Sequence, residues 1–212
     1  MLVEQAMTSD VICVSPDTPI SEAIAITTAK RIRHLPVVKD GELVGILSDR
    51  DLRNAMPSCL VEADSLPVEG TPVSSIMITN VITAHPLDFV EDAASTLYHK
   101  RIGCLPVVSR GKLVGIITER DILHTLVEMM GVSTPTSRIE IQVPDRPGML
   151  AEVADFLRAR KTNVASVMVF PSPTEGQKTL ILWLKTMDPR RFIHDVENAG
   201  YTVIQPPAWK QG

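Results

Sequence analysis

The chain has 212 residues, 44% of them hydrophobic and 22% charged, with a formal net charge of −4, a balance that suits one large or two modest globular domains and excludes a disordered chain. The acidic excess offers no global attraction to nucleic acid or an anionic membrane surface, so any phosphate-binding surface has to come from local arginine and lysine clusters. No segment approaches the roughly 18 uninterrupted apolar residues of a membrane helix, and the start MLVEQAMTSD carries an early acid instead of a basic signal-peptide region, so a cytoplasmic protein without membrane partners is expected.

In chain order, residues 11–14 predict a short strand, with Thr18 and Pro19 as N-cap and first position of a helix. Ile20, Ala23, Ile24 and Thr27 share one face of that helix, which should end near Arg31. Two apolar runs, 35–38 and 43–47, flank Lys39, Asp40, Gly41 and Glu42 as in a β-hairpin, and a further helix opens at Ser48. The whole order then returns. Residues 7–56 recur as 77–126 without a gap: RIRHLPVVKDGELVGILSDRDL (31–52) reads against RIGCLPVVSRGKLVGIITERDI (101–122). A repeat this close implies two supersecondary units that stack to complete a core neither closes alone. The last helix of the second copy is expected to turn Ile122, Leu123, Leu126, Val127 and Met130 to one face.

A Pro- and Ser-rich stretch, 57–76, separates the copies and reads as an irregular surface connector, and GVSTPTS (131–137) reads as an interdomain linker. Beyond it come a strand at 139–143, a helix at 148–160, and strands at 164–170 and 179–185. A helix opened by Asp188 and Pro189, with Phe192, Ile193 and Val196 inward, then leads through Gly200 to a strand at 201–204. This order is βαββαβ. The expected divisions are a first repeat over 1–60, a connector over 61–76, a second repeat over 77–130, a linker over 131–137 and a final domain over 138–212.

The sharpest chemistry lies where a strand turns into a helix, at GILSDRD (45–51) and GIITERD (115–121). A hydroxyl, Ser48 or Thr118, opens the helix and an acid, Asp51 or Asp121, follows three residues later. The free N–H groups and dipole at a helix start favour an anion by roughly 0.3–1 kcal/mol, and a carboxylate beside them can accept two sugar hydroxyls, so phosphate and ribose suit the pair. The same residues also make an ordinary helix cap, and duplication copies caps as readily as sites. Cys13, Cys59 and Cys104 are odd in number and far apart without a CxxC pair, which argues against a disulfide framework or a zinc site. His124 and Glu128 lie one helical turn apart, but without a third ligand they read as a solvated face, and no metal is expected.

The strand opening, LPVV, the Gly-turned hairpin and the G-I-[IL]-[ST]-x-R-D ending, recurring in order over about 1–130, resemble the CBS domain, two copies of which pack as a Bateman module. The resemblance implies an α/β fold with two repeats related by a pseudo-twofold axis. It also implies regulatory binding of AMP, ADP, ATP or S-adenosylmethionine in the clefts between them. On this chain it places Asp51 and Asp121 on ribose hydroxyls, Ser48 and Thr118 near ribose or phosphate, and the backbone around Ile12 (11–13) and around Ile82 and Thr83 (81–83) against adenine. The resemblance further implies phosphate contacts from the residues just before LPVV in the opposite copy, where the copies differ: Arg33 and His34 against Gly103 and Cys104. The expectation is therefore that the cleft combining Thr118 and Asp121 with Arg33 and His34 takes the phosphorylated ligand. The cleft of Ser48, Asp51, Gly103 and Cys104 is expected to lack those cations. Arg50 and Arg120 either add charge or are solvated.

IEIQVPDRPGMLAEVADFL (139–157), with the βαββαβ order, resembles the ACT domain, a ferredoxin-like small-molecule sensor that commonly binds amino acids and pairs its sheets across a dimer. The resemblance places a ligand near Asp145, Arg146, Gly148, Met149 and Asn163 at a dimer interface. A CBS pair followed by an ACT domain resembles the AcuB-like acetoin-utilisation proteins. The expected function is a regulatory sensor and homo-oligomer with no catalytic residues and no cofactor. The rival is an oligomerisation or adaptor protein that binds no ligand.

Overall fold

The structure is a computed structural model that describes residues 1–56, 70–131 and 135–204. It divides into two units, Met1–Leu123 and His124–Gly212.

In the first unit, α1 (Ile20–Lys30) and α3 (Val90–Lys100) are equivalent helices that both end on an arginine in the left-handed region, Arg31 and Arg101, each at φ 54°. Each helix starts one position later than expected. Pro19 is the N-cap of α1, with extended backbone, because Thr18 is already engaged: its Oγ1 accepts the Ser15 N–H at 3.1 Å. The hairpins β1 (His34–Lys39) with β2 (Glu42–Ser48), and β3 (Cys104–Ser109) with β4 (Lys112–Thr118), turn through Asp40–Gly41 and Arg110–Gly111. All four turn residues have positive φ, 53°, 86°, 51° and 79°, the primed turn whose twist matches that of the strands. The hairpins meet at Glu42–Lys112, which makes one sheet of order β1-β2-β4-β3. Short α2 (Asp49–Asn54) and longer α4 (Glu119–Met129) follow the second strand of each hairpin.

The expected strands at 11–14 and 81–84 shrink to one bridge each, Val14 to Val37 and Ala84 to Val107. The reason is that the chain just before them belongs to the other copy. Thr8 pairs with Ile116 and Ile78 with Ile46. Val3 is fully buried with Leu97, Leu105, Val107 and Ile117 of the second copy, while Val73 is fully buried with Leu35, Val37, Leu47 and Leu52 of the first. Residues 73–76, expected as irregular connector, are thus an ordered part of the first core; residues 57–69, with Cys59, lie outside the described residues. Met7 packs onto Gly115 and Met77 onto Gly45, so closely that a Cβ at Gly45 would stand 2.5 Å from Met77 Sδ. Each copy therefore closes its core with the lead-in of the other.

The apolar face expected on α4 is not its covered one: Thr125 is the buried residue of the helix, whereas Leu123 and Leu126 of that face are exposed. An apolar stripe reports that a helix is two-faced, not which side a neighbour covers.

In the second unit, β5 (Ser137–Pro144), α5 (Met149–Ala159), β6 (Val164–Pro171), β7 (Gln177–Leu184), α6 (Arg190–Asn198) and β8 (Thr202–Ile204) form the βαββαβ order, with sheet order β6-β7-β5-β8. Ile139, Ile141 and Val143 alternate inward along β5, the period of a half-buried strand, and pack with Leu180, Leu182 and Leu184, with Val153 and Leu157 of α5, and with Phe192 and Val196 of α6. Arg160 joins α5 to α6 by donating two bonds, 2.5 and 2.7 Å, to the Asp195 carboxylate. The division between units falls inside α4, earlier than the expected linker at 131–137, of which 132–134 lie outside the described residues. The tail of the helix goes with the second unit: a Cβ at Gly131 would stand 3.0 Å from that of Ala165. No helix among the described residues is long and apolar enough to cross a membrane.

Candidate functional site

Crossing the lead-ins brings three stretches together twice. One cleft, of about 320 Å³, is lined by Thr8 and 10–12, by 31–34, and by Ile116 with 118–121, together with Gly103. The other, of about 540 Å³, is lined by Ile78 and 80–82, by 101–104 and by 46–51, and also by Arg33, His34, Pro106 and Glu119. The three stretches correspond one to one at the 70-residue offset. The Thr118 cleft thus gathers Thr118, Asp121, Arg33, His34, Arg120 and Ile12, while the Ser48 cleft gathers Ser48, Asp51, Arg50 and Ile82. Thr83 is not brought into either of these clefts: it is an exposed residue directly before Ala84, where the chain has left the cleft wall to pair with Val107.

The hydroxyl and acid of each motif bond each other. Thr118 donates from N–H and Oγ1 to Asp121 Oδ2 at 2.8 and 2.7 Å, and the Asp121 N–H returns to Thr118 Oγ1 at 3.3 Å. Ser48 and Asp51 repeat the pattern at 2.8, 2.6 and 3.2 Å. This reciprocal capping satisfies N–H groups at the helix start. All of these bonds to the carboxylate fall on Oδ2, which leaves Oδ1 of each aspartate as acceptor capacity for a hydroxyl in the cleft.

The expectation that the Ser48 cleft lacks cations is overturned. Arg33 and His34 line both clefts, and Arg101 adds a third arginine beside Arg50. In each cleft three arginines meet three carboxylates: Arg31, Arg33 and Arg120 with Asp10, Glu119 and Asp121 in one, and Arg33, Arg50 and Arg101 with Asp49, Asp51 and Glu119 in the other. Arg31 and Arg101 were missed in the sequence reading, although an arginine standing at the same place in both copies, straight after the helix, was the available signal. Gly103 lies under the His34 ring, where a Cβ would stand 2.8 Å from Nε2. Burial first, and then the neighbouring Arg33 charge, lower the His34 pKa below its ordinary value, against the pull of Asp49, Glu119 and Asp51. The buried Cys104 thiol is pushed up to about 12 by desolvation, which makes it a small apolar wall residue and not a nucleophile. Among the described residues no group of three His, Cys, Asp or Glu is placed to hold a metal ion.

In the second unit the expected ligand residues are dispersed. Asp145 pairs with Lys178 at 2.8 Å, and Arg146 donates to Glu152 Oε1 at 3.0 Å. The Tyr201 hydroxyl donates to the other oxygen of Glu152. Gly148 is the N-cap of α5, at φ 93°. Met149 is a correction: it is buried in the core instead of facing a ligand, because it is the first inward position of α5. Asn163 is exposed, and its Oδ1 accepts the Val164 N–H at 2.9 Å. Ser137 and Val164 both pair with Leu184, whereas Pro144 pairs with Gln177, so Asn163, beside Lys185, and Asp145, beside Gly176, sit at opposite ends of the sheet, roughly 30 Å apart at about 3.3 Å per residue.

The CBS domain family model matches residues 3–58 and 73–128, and the ACT domain model matches 137–197. An inosine-5′-monophosphate dehydrogenase from Thermoplasma acidophilum is 39% identical over 121 residues, 57% of this chain but 22% of that protein, so the chain spans about a fifth of its length. A Vibrio cholerae protein described as an acetoin utilization protein (AcuB) superposes with a TM-score of 0.54 at 34% identity, covering 64% of this chain and 98% of that one. The CBS domain pair of protein MJ0100, solved in complex with 5′-methylthioadenosine and S-adenosyl-L-methionine, superposes with a TM-score of 0.52 at 29% identity, covering 63% and 98%. The crossed lead-ins, the paired hairpins and the two equivalent clefts are accordingly those of tandem CBS repeats, and the chain belongs to the CBS domain family, with an ACT domain following the pair.

Proposed function

We propose that the protein is a regulatory sensor, not an enzyme, that takes an adenine nucleotide or S-adenosylmethionine in the clefts between its CBS repeats. One observation carries this reading. Each cleft draws together, from both repeats, an apolar lead-in wall, an aspartate with one oxygen uncommitted, and arginines at a helix start. Ile12 and Ile82 would flank adenine, Oδ1 of Asp121 or Asp51 would accept ribose hydroxyls, and Arg33 with His34 would meet phosphate in the Thr118 cleft. The ligands of the MJ0100 pair support an adenosine-type molecule. The likeness to the Vibrio cholerae protein supports a place in acetoin utilization. The ACT domain would pair with a second copy, the arrangement that can bring Arg146 and Gly148 of one chain near Asn163 of another.

Calorimetric titration with AMP, ADP, ATP and S-adenosylmethionine tests the reading, alongside Asp121→Asn, which retains an oxygen for the cap. Loss of the charged partner is expected to weaken nucleotide binding roughly tenfold or more, with little change in melting temperature. Absence of heat from all four compounds would remove it. The second reading, an oligomerisation protein that binds no ligand, is favoured by the mutual bonding of each hydroxyl and acid, which is a complete helix cap without any guest.

A further inference from the structure

The two clefts are not separate compartments. Arg33, His34, Gly103 and Glu119 line both, so they form one wall with a ligand space on each side. The wall is asymmetric about the pseudo-twofold axis: the residues equivalent to Arg33 and His34 are Gly103 and Cys104. The missing side chain at Gly103 is what admits the His34 ring, since a Cβ there would lie 2.9 Å from Cε1. A symmetric pair of histidines and arginines would not fit this space, and their charges would repel. The wall thus provides one arginine–histidine pair for two sites, and it carries Glu119, whose charge opposes phosphate on either side.

We infer that the clefts are negatively coupled for phosphorylated ligands: the Arg33–His34 pair serves one phosphate at a time, so the chain holds one nucleotide tightly and admits a second only weakly. The inference rests on the reading of the clefts as adenosine sites and adds how they regulate each other. A ligand without phosphate makes no claim on the shared pair and fills both clefts independently. In this arrangement a phosphorylated and an unphosphorylated adenosine ligand can be bound together, which makes the chain responsive to their ratio.

Equilibrium dialysis of the full chain with AMP, and separately with uncharged 5′-methylthioadenosine, tests this. AMP is expected to fill one site per chain, with a second site at least roughly tenfold weaker, whereas methylthioadenosine fills two sites of independent affinity. In Arg33→Gln/His34→Gln the tight AMP site should weaken and the difference between the two sites should vanish. Two equal, independent AMP sites in the unaltered chain would overturn the coupling, as would methylthioadenosine stopping at one site per chain. Binding of neither compound would overturn the coupling, and the adenosine reading falls with it when ADP, ATP and S-adenosylmethionine also fail to bind.

Discussion

The Thr118 and Ser48 clefts are built from the same three stretches at a 70-residue offset, yet they enclose about 320 and 540 Å³ and share a wall that only one copy furnishes with cations. Duplication explains the likeness, because equal backbones put equal residues at the helix starts. The difference arises near the pseudo-axis, where equivalent positions of the two copies approach each other and cannot both be large. There a substitution in one copy shapes both sites. The same economy governs the cores, since each copy is completed by the other's lead-in.

The strongest way to break the comparison is to charge the buried lead-ins. Val3→Asp and Val73→Asp should each cost about 3–5 kcal/mol through an uncompensated buried charge. Hydrogen exchange should show lost protection in α3, β3 and β4 for the first variant and in α1, β1 and β2 for the second. Loss confined to the copy carrying the substitution would refute the exchange of lead-ins. Next in size, Gly103→Val should cost about 1–3 kcal/mol by driving the His34 ring from its seat, measured by urea unfolding, whereas Arg33→Gly at the equivalent exposed position should cost little.

Ser48→Ala and Thr118→Ala should each lower stability by about 1 kcal/mol through loss of a cap. Near-equal values would show that the caps are equivalent even where the clefts are not. For pH, the His34 pKa is lowered in the folded chain from its ordinary 6.5, so the unfolded state binds the proton more readily. Stability should therefore be full above pH 6.5 and fall as pH drops through the lower folded value. His34→Gln should flatten that slope, and an unchanged slope would show that burial of the ring has no such effect. The smallest effect concerns the thiols. In alkylation followed by peptide mapping, exposed Cys13 should label readily, while buried Cys104, held near 12, should stay unreacted at neutral pH. Equal labelling would mean that the wall of the Ser48 cleft opens to solvent.

Much of this molecule was legible in its residues. Hairpin turns at Asp40–Gly41 and Arg110–Gly111, the helix end at Arg31 and the βαββαβ order of the last domain are local matters, set by backbone conformation and apolar period. The motif pairs Ser48–Asp51 and Thr118–Asp121 are local as well, since a capping interaction spans three residues. The Thr118–Asp121–Arg33–His34 grouping came from comparing the copies with each other and with a family.

What only the tertiary structure decided lies in the distances between segments far apart in the chain. That Val3 belongs to the second core and Val73 to the first depends on the path of the backbone, because a buried valine looks the same in sequence whichever core receives it. That Arg33 and His34 face both clefts follows from Gly103 standing opposite them, a vacancy that a glycine in isolation does not announce. The uncovered leucines of α4 and the separation of Asn163 from Asp145 have the same origin. Periodicity tells which residues share a face, and only packing tells what, if anything, that face meets.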